Sequence, residues 1–268
     1  MKLRTALVVL AFGAALAAQA QNSTTTNTST TNSGPRLMPR EAAPIKPGSP
    51  EDRVRTLMRG RLNQNAESVV RMPFGMYEVV VGSDVVYVDA DVNYMLGGHL
   101  IDARTRTNLT EQKRNELSRI DFKSLPLDQA IKQVRGNGKR VLVTFEDPNC
   151  GFCRQLARTL ADFKDITVYT FLLPILSQDS HDKAAIIWCS KDRAAAWQAL
   201  MLEGKEPMGS GNCTTPLQSN LAMGQTLRVN GTPTLVFADG FRVPGYLPAE
   251  ALEQTLAQHG GTASAAKK

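Results

Sequence analysis

The spacing of apolar positions changes several times along this chain, and each change predicts a different element. Val54, Leu57, Met58 and Leu62 recur at helical spacing, so a short helix is expected from about Pro50 to Leu62. From Met72 to Asp102 the pattern is that of strands. Tyr77-Glu78-Val79-Val80-Val81 and Val85-Val86-Tyr87-Val88 flank Gly82-Ser83-Asp84 and read as a hairpin. Tyr94-Met95-Leu96 and His99-Leu100-Ile101 flank Gly97-Gly98, a pair permissive for a turn or bulge. A sheet this small has too little chain for a deep core, so packing on a second copy would help it. Thr110-Glu111-Gln112-Lys113-Arg114-Asn115-Glu116 is charged and helix-favouring, and reads as a linker helix between two folded parts.

Beyond the linker the pattern predicts helix, strand, helix, strand, a long helical insertion, two strands and a last helix. Leu127, Ala130, Ile131 and Val134 fall on one helical face. Val141-Leu142-Val143-Thr144-Phe145 is a continuous run suited to a central strand covered on both sides. Cys153, Leu156, Ala157 and Leu160 then follow the i, i+3, i+4, i+7 spacing of an inward helical face. Ile166 to Leu173 is the next strand, Thr234-Leu235-Val236-Phe237 and Phe241-Arg242-Val243 a closing hairpin, and residues 248–258 the final helix.

Composition alters the picture at the two ends. Lys2 and Arg4, the apolar stretch Leu7 to Leu16 and the small residues Ala18-Gln19-Ala20 form an export signal, with cleavage expected near Ala20/Gln21. Its apolar core is shorter than the roughly 20 residues a bilayer requires. Residues 21–48 are rich in Ser, Thr, Asn and Pro and offer little to bury, which predicts a disordered tether. The expected organisation is therefore a signal peptide (1–20), this tether, an N-terminal domain (49–108), a linker helix (109–122), a C-terminal α/β domain (123–260) and a disordered tail (261–268). The formal charge of +6 falls to +4 once Lys2 and Arg4 are set aside, and both signs are dispersed. Without a clustered basic and aromatic stripe, nucleic acid is not an expected partner.

All four cysteines, at 150, 153, 189 and 213, lie in the C-terminal half. In an oxidising compartment an even number suggests two pairs. Zinc held by all four is the competing account, but such sites use two close pairs, and Cys189 and Cys213 are 24 positions apart. No metal and no cofactor is expected.

Cys150-Gly151-Phe152-Cys153 sits between an apolar strand and a helix, the context that a redox pair requires. Disulfide exchange needs a thiolate, and an ordinary cysteine with a pKa of about 8.5 is mostly protonated at neutral pH. A helix N-terminus stabilises the anion, which makes Cys150 the expected nucleophile. Cys153, one turn on and inward, is the expected resolving thiol. Gly231-Thr232-Pro233-Thr234 immediately precedes an apolar strand, where a proline is awkward, and a cis Thr232–Pro233 bond would account for it. None of the three histidines lies in these motifs, which argues against a Cys-His protease.

These residues carry a family resemblance. Phe145-Glu146-Asp147-Pro148-Asn149-Cys150-Gly151-Phe152-Cys153, Ile187-Trp188-Cys189-Ser190-Lys191-Asp192, Gly231-Thr232-Pro233-Thr234 and Val243-Pro244-Gly245-Tyr246 occur in the order of the DsbC/DsbG family of periplasmic thiol:disulfide interchange proteins. The Gly-Phe dipeptide is closer to DsbC. Tyr94 to Asp102 also resembles the family's dimer-forming strands. The resemblance spans about residues 50 to 258.

It implies a thioredoxin-like fold with a helical insertion, preceded by a small α+β (cystatin-like) dimerisation domain. It further implies a V-shaped periplasmic homodimer whose catalytic domains face an apolar cleft that takes misfolded, disulfide-containing exported proteins. Gly151, Phe152, Thr232 and Pro233 would meet the substrate, Cys189 and Cys213 would form a structural disulfide, and a membrane reductant resembling DsbD would keep the active pair reduced. Chaperone activity would accompany isomerase and reductase activity. A DsbA-like disulfide donor and a binding module that needs no thiols are the alternatives. Thioredoxin and DsbA place a buried acid that assists proton transfer six residues before the nucleophile. Here that position is Thr144, and Glu146 and Asp147, on opposite faces of the strand, are expected to be solvated.

Overall fold

The computed structural model describes residues 34–38 and 44–261. The expected signal peptide, most of the tether and residues 262–268 lie outside the described residues. Part of the tether is nevertheless anchored. Leu37 forms a β-bridge with Ile120, the Met38 amide donates to the Arg119 carbonyl, and Arg36 pairs with Asp121 at 2.8 Å. The stretch that docks contains Leu37, which packs against the core around Ile120.

Helix α1 (Pro50–Leu62) begins with Pro50 in its first turn, where a missing N–H costs nothing, and Ser49 caps it by accepting from the Asp52 amide. Val54 and Met58 point inward. They meet a four-stranded antiparallel sheet of β1 (Ser68–Arg71), β2 (Tyr77–Val81), β3 (Asp84–Val88) and β4 (Met95–Gly97), in that spatial order. β1 was not legible in the apolar pattern. The residues flanking Gly97-Gly98 do not pair with each other. Met95–Gly97 pairs with β3, and β5 (Ile101–Asp102) pairs with β6 (Thr107–Asn108). Helix α2 (Leu109–Leu117) follows, capped by Asn108, and a buried 2.7 Å hydrogen bond between the Thr110 and Tyr87 hydroxyls ties it to β3.

The C-terminal part is a five-stranded mixed sheet containing β7 (Ile131–Arg135), β8 (Arg140–Glu146), β9 (Ile166–Leu172), β10 (Thr234–Phe237) and β11 (Arg242–Pro244). Its order is β11-β10-β8-β9-β7, with β8 and β9 parallel and the other pairs antiparallel. α3 (Gly151–Ala161) and α7 (Ala249–His259) contribute to the core on one face. α4 (Gln178–Cys189), α5 (Arg193–Glu203) and α6 (Leu217–Thr226) form the insertion between β9 and β10.

Leu127 to Val134 does not form the expected helix. Leu127–Gln129 makes one 3-10 turn, and β7 begins at Ile131. Four apolar residues over eight positions fit either period, and tertiary pairing decides between them. Ile131 is buried against β9 while Val134 is 55% exposed, as alternation on an edge strand requires. Gly136 and Gly138, both at positive φ, then reverse the chain into β8.

Candidate active site

β8 runs through the middle of the sheet with Val141 to Glu146 all buried, because side chains from both of its faces enter packed cores. Its end delivers the chain into α3 through Asp147-Pro148-Asn149. Cys150 is the N-cap of α3, and its sulfur accepts from the Cys153 amide at 3.2 Å. An N-cap is normally an oxygen that satisfies an orphan amide; here a sulfur takes that place, so the amides that would stabilise an anion already face it. The Cys150 sulfur also lies 3.3 Å from the Thr232 carbonyl oxygen, to which it donates when protonated. The Thr232–Pro233 peptide is cis, and the Gly245 amide donates to the Pro233 carbonyl at 2.7 Å.

The two thiols differ in electrostatics. Cys150 falls to about 6, chiefly because the Cys153 thiol donates to its sulfur, with the Thr232 side chain and the Cys153 and Phe152 amides adding to the effect against burial. Cys153 is pushed well above the ordinary thiol range, first by burial, then by its bond to Cys150 and by the charge of Glu146. One sulfur is therefore mostly thiolate at neutral pH, and its neighbour holds its proton. Around the pair, Gly151 is exposed and Phe152 is 60% exposed at the head of α3, with Ile175 and Leu176 also exposed.

Asp147 and Glu146 correct the expectation of solvation, since both are buried. The carboxylate of Asp147 accepts from the amides of Asn149, Ile175 and Leu176 and from the Ser180 hydroxyl, at 2.8 to 3.0 Å. Its carbonyl accepts from the Cys150 amide. Asp147 thus fixes the loop that carries Cys150 to the segment that opens the helical insertion. Glu146 accepts from the Thr144 hydroxyl at 2.7 Å through Oε1, and burial above all raises its carboxyl to about 8. Alternation does place the two on opposite sides of β8, but neither side is water. The signal that could have shown this is the unbroken apolar run preceding them.

Cys189 and Cys213 are joined by a disulfide with Cα atoms 5.8 Å apart, tying the end of α4 to the segment before α6. Cys150 and Cys153 are free thiols.

Residues 127–260 match the family described as a thioredoxin-like domain, and residues 42–111 match the disulfide bond isomerase N-terminal domain. The chain is 48% identical over 189 residues to the "Probable thiol:disulfide interchange protein DsbC" of Bordetella pertussis, covering 70% of this chain and 67% of the relative. To its counterpart in Bordetella avium it is 45% identical over 217 residues, covering 80% and 78%. A crystal structure of a disulfide interchange protein from Neisseria gonorrhoeae shares 42% identity with a TM-score of 0.50, over 51% of this chain and 99% of that one. The N-terminal domain, the thioredoxin-like domain and the close relatives agree: this chain belongs to the DsbC family of thiol:disulfide interchange proteins.

Proposed function

We propose that this chain is a thiol:disulfide isomerase and reductase of the periplasm, with Cys150 as nucleophile, Cys153 as resolving thiol, and misfolded disulfide-containing exported proteins as substrates. The observation that carries the reading is the Cys150 sulfur at the N-cap of α3, lowered to about 6 beside a buried thiol that keeps its proton. The Cys150 thiolate attacks one sulfur of a wrong substrate disulfide, forming a mixed disulfide and releasing the other sulfur as a thiolate. That thiolate can attack elsewhere in the substrate and free Cys150, which completes an isomerisation. Alternatively Cys153 attacks Cys150, the substrate leaves reduced, and a membrane reductant resembling DsbD restores the dithiol.

The cis Thr232–Pro233 segment, with the Thr232 carbonyl beside Cys150, supports a role in holding an extended substrate backbone. Phe152, exposed beside Gly151, supports contact with apolar side chains that only a misfolded substrate displays. The same apolar surface suits chaperone activity. The N-terminal domain match and the exposed residues of β4 support a homodimer. The Cys189–Cys213 bond joins the end of α4 to the segment before α6, which supports a structural role.

Ribonuclease with scrambled disulfides, incubated with the reduced protein, tests the reading. Recovery of ribonuclease activity that is lost in Cys150→Ala is expected; no recovery with the wild-type protein would overturn it.

A further inference from the structure

The chain passes the joint between α2 and the thioredoxin-like domain twice. The first passage is the linker itself: α2 ends at Leu117, and residues 119–121 lead into the domain, where Ile120 is fully buried in the core. The second passage is the segment before α1. Gly34 and Pro35 line a cavity together with Ser219 and Met223 of α6, Leu37 bridges to Ile120, and Ile45 packs against the core of the N-terminal domain.

Residues 119–121 behave as a short central strand. On one edge the Ile120 amide donates to the Gly240 carbonyl at 3.0 Å, and the Arg119 guanidinium reaches the Asp239 carboxylate in the same turn at 3.0 Å. On the other edge the Met38 amide donates to the Arg119 carbonyl at 2.8 Å, and the Asp121 amide donates to the Arg36 carbonyl at 3.0 Å. These two bonds flank Leu37 and Ile120, the arrangement in which facing side chains of an antiparallel pair come closest. The Arg36 guanidinium closes the end on the Asp121 carboxylate at 2.8 Å, and the Arg36 amide donates to the Ser124 hydroxyl at 3.1 Å. Without residues 36–38, the Arg119 carbonyl and the Asp121 amide would lose these partners and Ile120 part of its cover.

The sequence suits a dedicated contact. No large apolar residue occurs from Gln21 to Arg36, and Leu37 and Met38 are the first. Leu37 packs against the core around Ile120, and the Met38 sulfur lies over Gly240, where a side chain would crowd it. That burial offsets the cost of ordering the segment. The segment also precedes residue 42, where the match to the N-terminal domain begins, so it is an addition to that domain. Its reach is short. Ile45 follows Met38 by seven positions, which at full extension span at most about 25 Å.

We propose that residues 34–38 are a strap that closes over the joint and holds the thioredoxin-like domain at a fixed angle to α2. The strap is fastened to the domain through 36–38 and to the N-terminal core through Ile45. The domain therefore cannot turn about residues 118–121 while both fastenings hold, and peeling of 36–38 is the event that frees it. The strap takes no part in thiol exchange, so this inference stands apart from the proposed function.

Residue-resolved amide exchange and backbone relaxation, measured by magnetic resonance on the full chain, test the strap. Met38→Pro removes the N–H that Arg119 accepts, and Leu37→Asn removes the apolar contact with Ile120. In both variants the Asp121 amide, bonded to the strap, should exchange about tenfold faster than in wild type, while the Ile120 amide, bonded to the Gly240 turn, should stay within about threefold. Leu37→Ile keeps the apolar contact and should match wild type. In relaxation, the amides of β2 and β3 and those of β8 and α3 should share one tumbling time in wild type and show two in Met38→Pro and Leu37→Asn. An Asp121 amide no faster in either variant would overturn the pairing. Two tumbling times in wild type, or one shared time in both variants, would overturn the restraint.

Discussion

At the scale of single residues, the active site is a contest between burial and hydrogen bonding, and its three ionisable groups settle differently. Cys150 is nearly buried, yet donors aimed at its sulfur outweigh desolvation and lower it to about 6. Cys153 rises, because burial and its bond to Cys150 outweigh the one backbone hydrogen bond, at Asp147, that favours its anion. Glu146 has one good donor in Thr144 and rises to about 8. The consequence for stability has a definite sign. A native carboxyl raised from 4.5 to about 8 is protonated in both folded and unfolded states below 4.5. Above that the unfolded chain ionises first, so stability falls with pH until about 8 and then levels. Glu146→Gln removes this slope. Its unfolding free energy relative to wild type should therefore climb between pH 4.5 and 8, by an amount of order 4 kcal/mol from the size of the shift. Denaturant melts at intervals across this range check it, and a difference independent of pH would contradict it.

At the scale of elements, Cys189–Cys213 closes a loop of 24 residues' separation between α4 and the approach to α6. Loop-closure entropy gives about 3 kcal/mol for a loop of this length. Replacing both cysteines by Ala should lower stability by that order while leaving Cys150 alkylation within twofold; a parallel loss of thiol reactivity would show that the bond also shapes the site. Which elements were legible follows from how strongly one period outcompetes the other. α1, the β2–β3 hairpin, β8, α3 and β9 have long or sharply punctuated patterns, and they form where the spacing placed them. β7 does not, because Leu127 to Val134 is short enough to suit a helix until β9 supplies hydrogen-bonding partners. The cysteine motif and the Thr232–Pro233 segment are readable because each asks for unusual local chemistry. The burial of Glu146 and Asp147 has only the apolar run before them as a local signal. It depends on the far elements, α5 on one side and the 174–180 segment on the other, that fold over the end of β8.

At the scale of the whole molecule, the N-terminal sheet ends in an edge that a soluble chain seldom leaves bare. β4 pairs with β3 on one side only, and Tyr94, Met95 and Leu96 are 78%, 54% and 53% exposed. A flat apolar edge of this kind invites another strand. If it is where two chains meet, Met95→Arg with Leu96→Asp should halve the sedimenting mass and abolish isomerisation of scrambled ribonuclease. Attack of Cys150 on a small disulfide should continue in the same variant. A variant of undiminished mass would place the contact elsewhere.

All of these scales depend on one sulfur being held as an anion by the start of α3. Its ultraviolet thiolate absorbance, titrated in the reduced protein with Cys150→Ala as the blank, measures this directly. Ionisation is expected to centre near 6, well below Cys153. A midpoint near 8.5, the value of an ordinary exposed thiol, would contradict it.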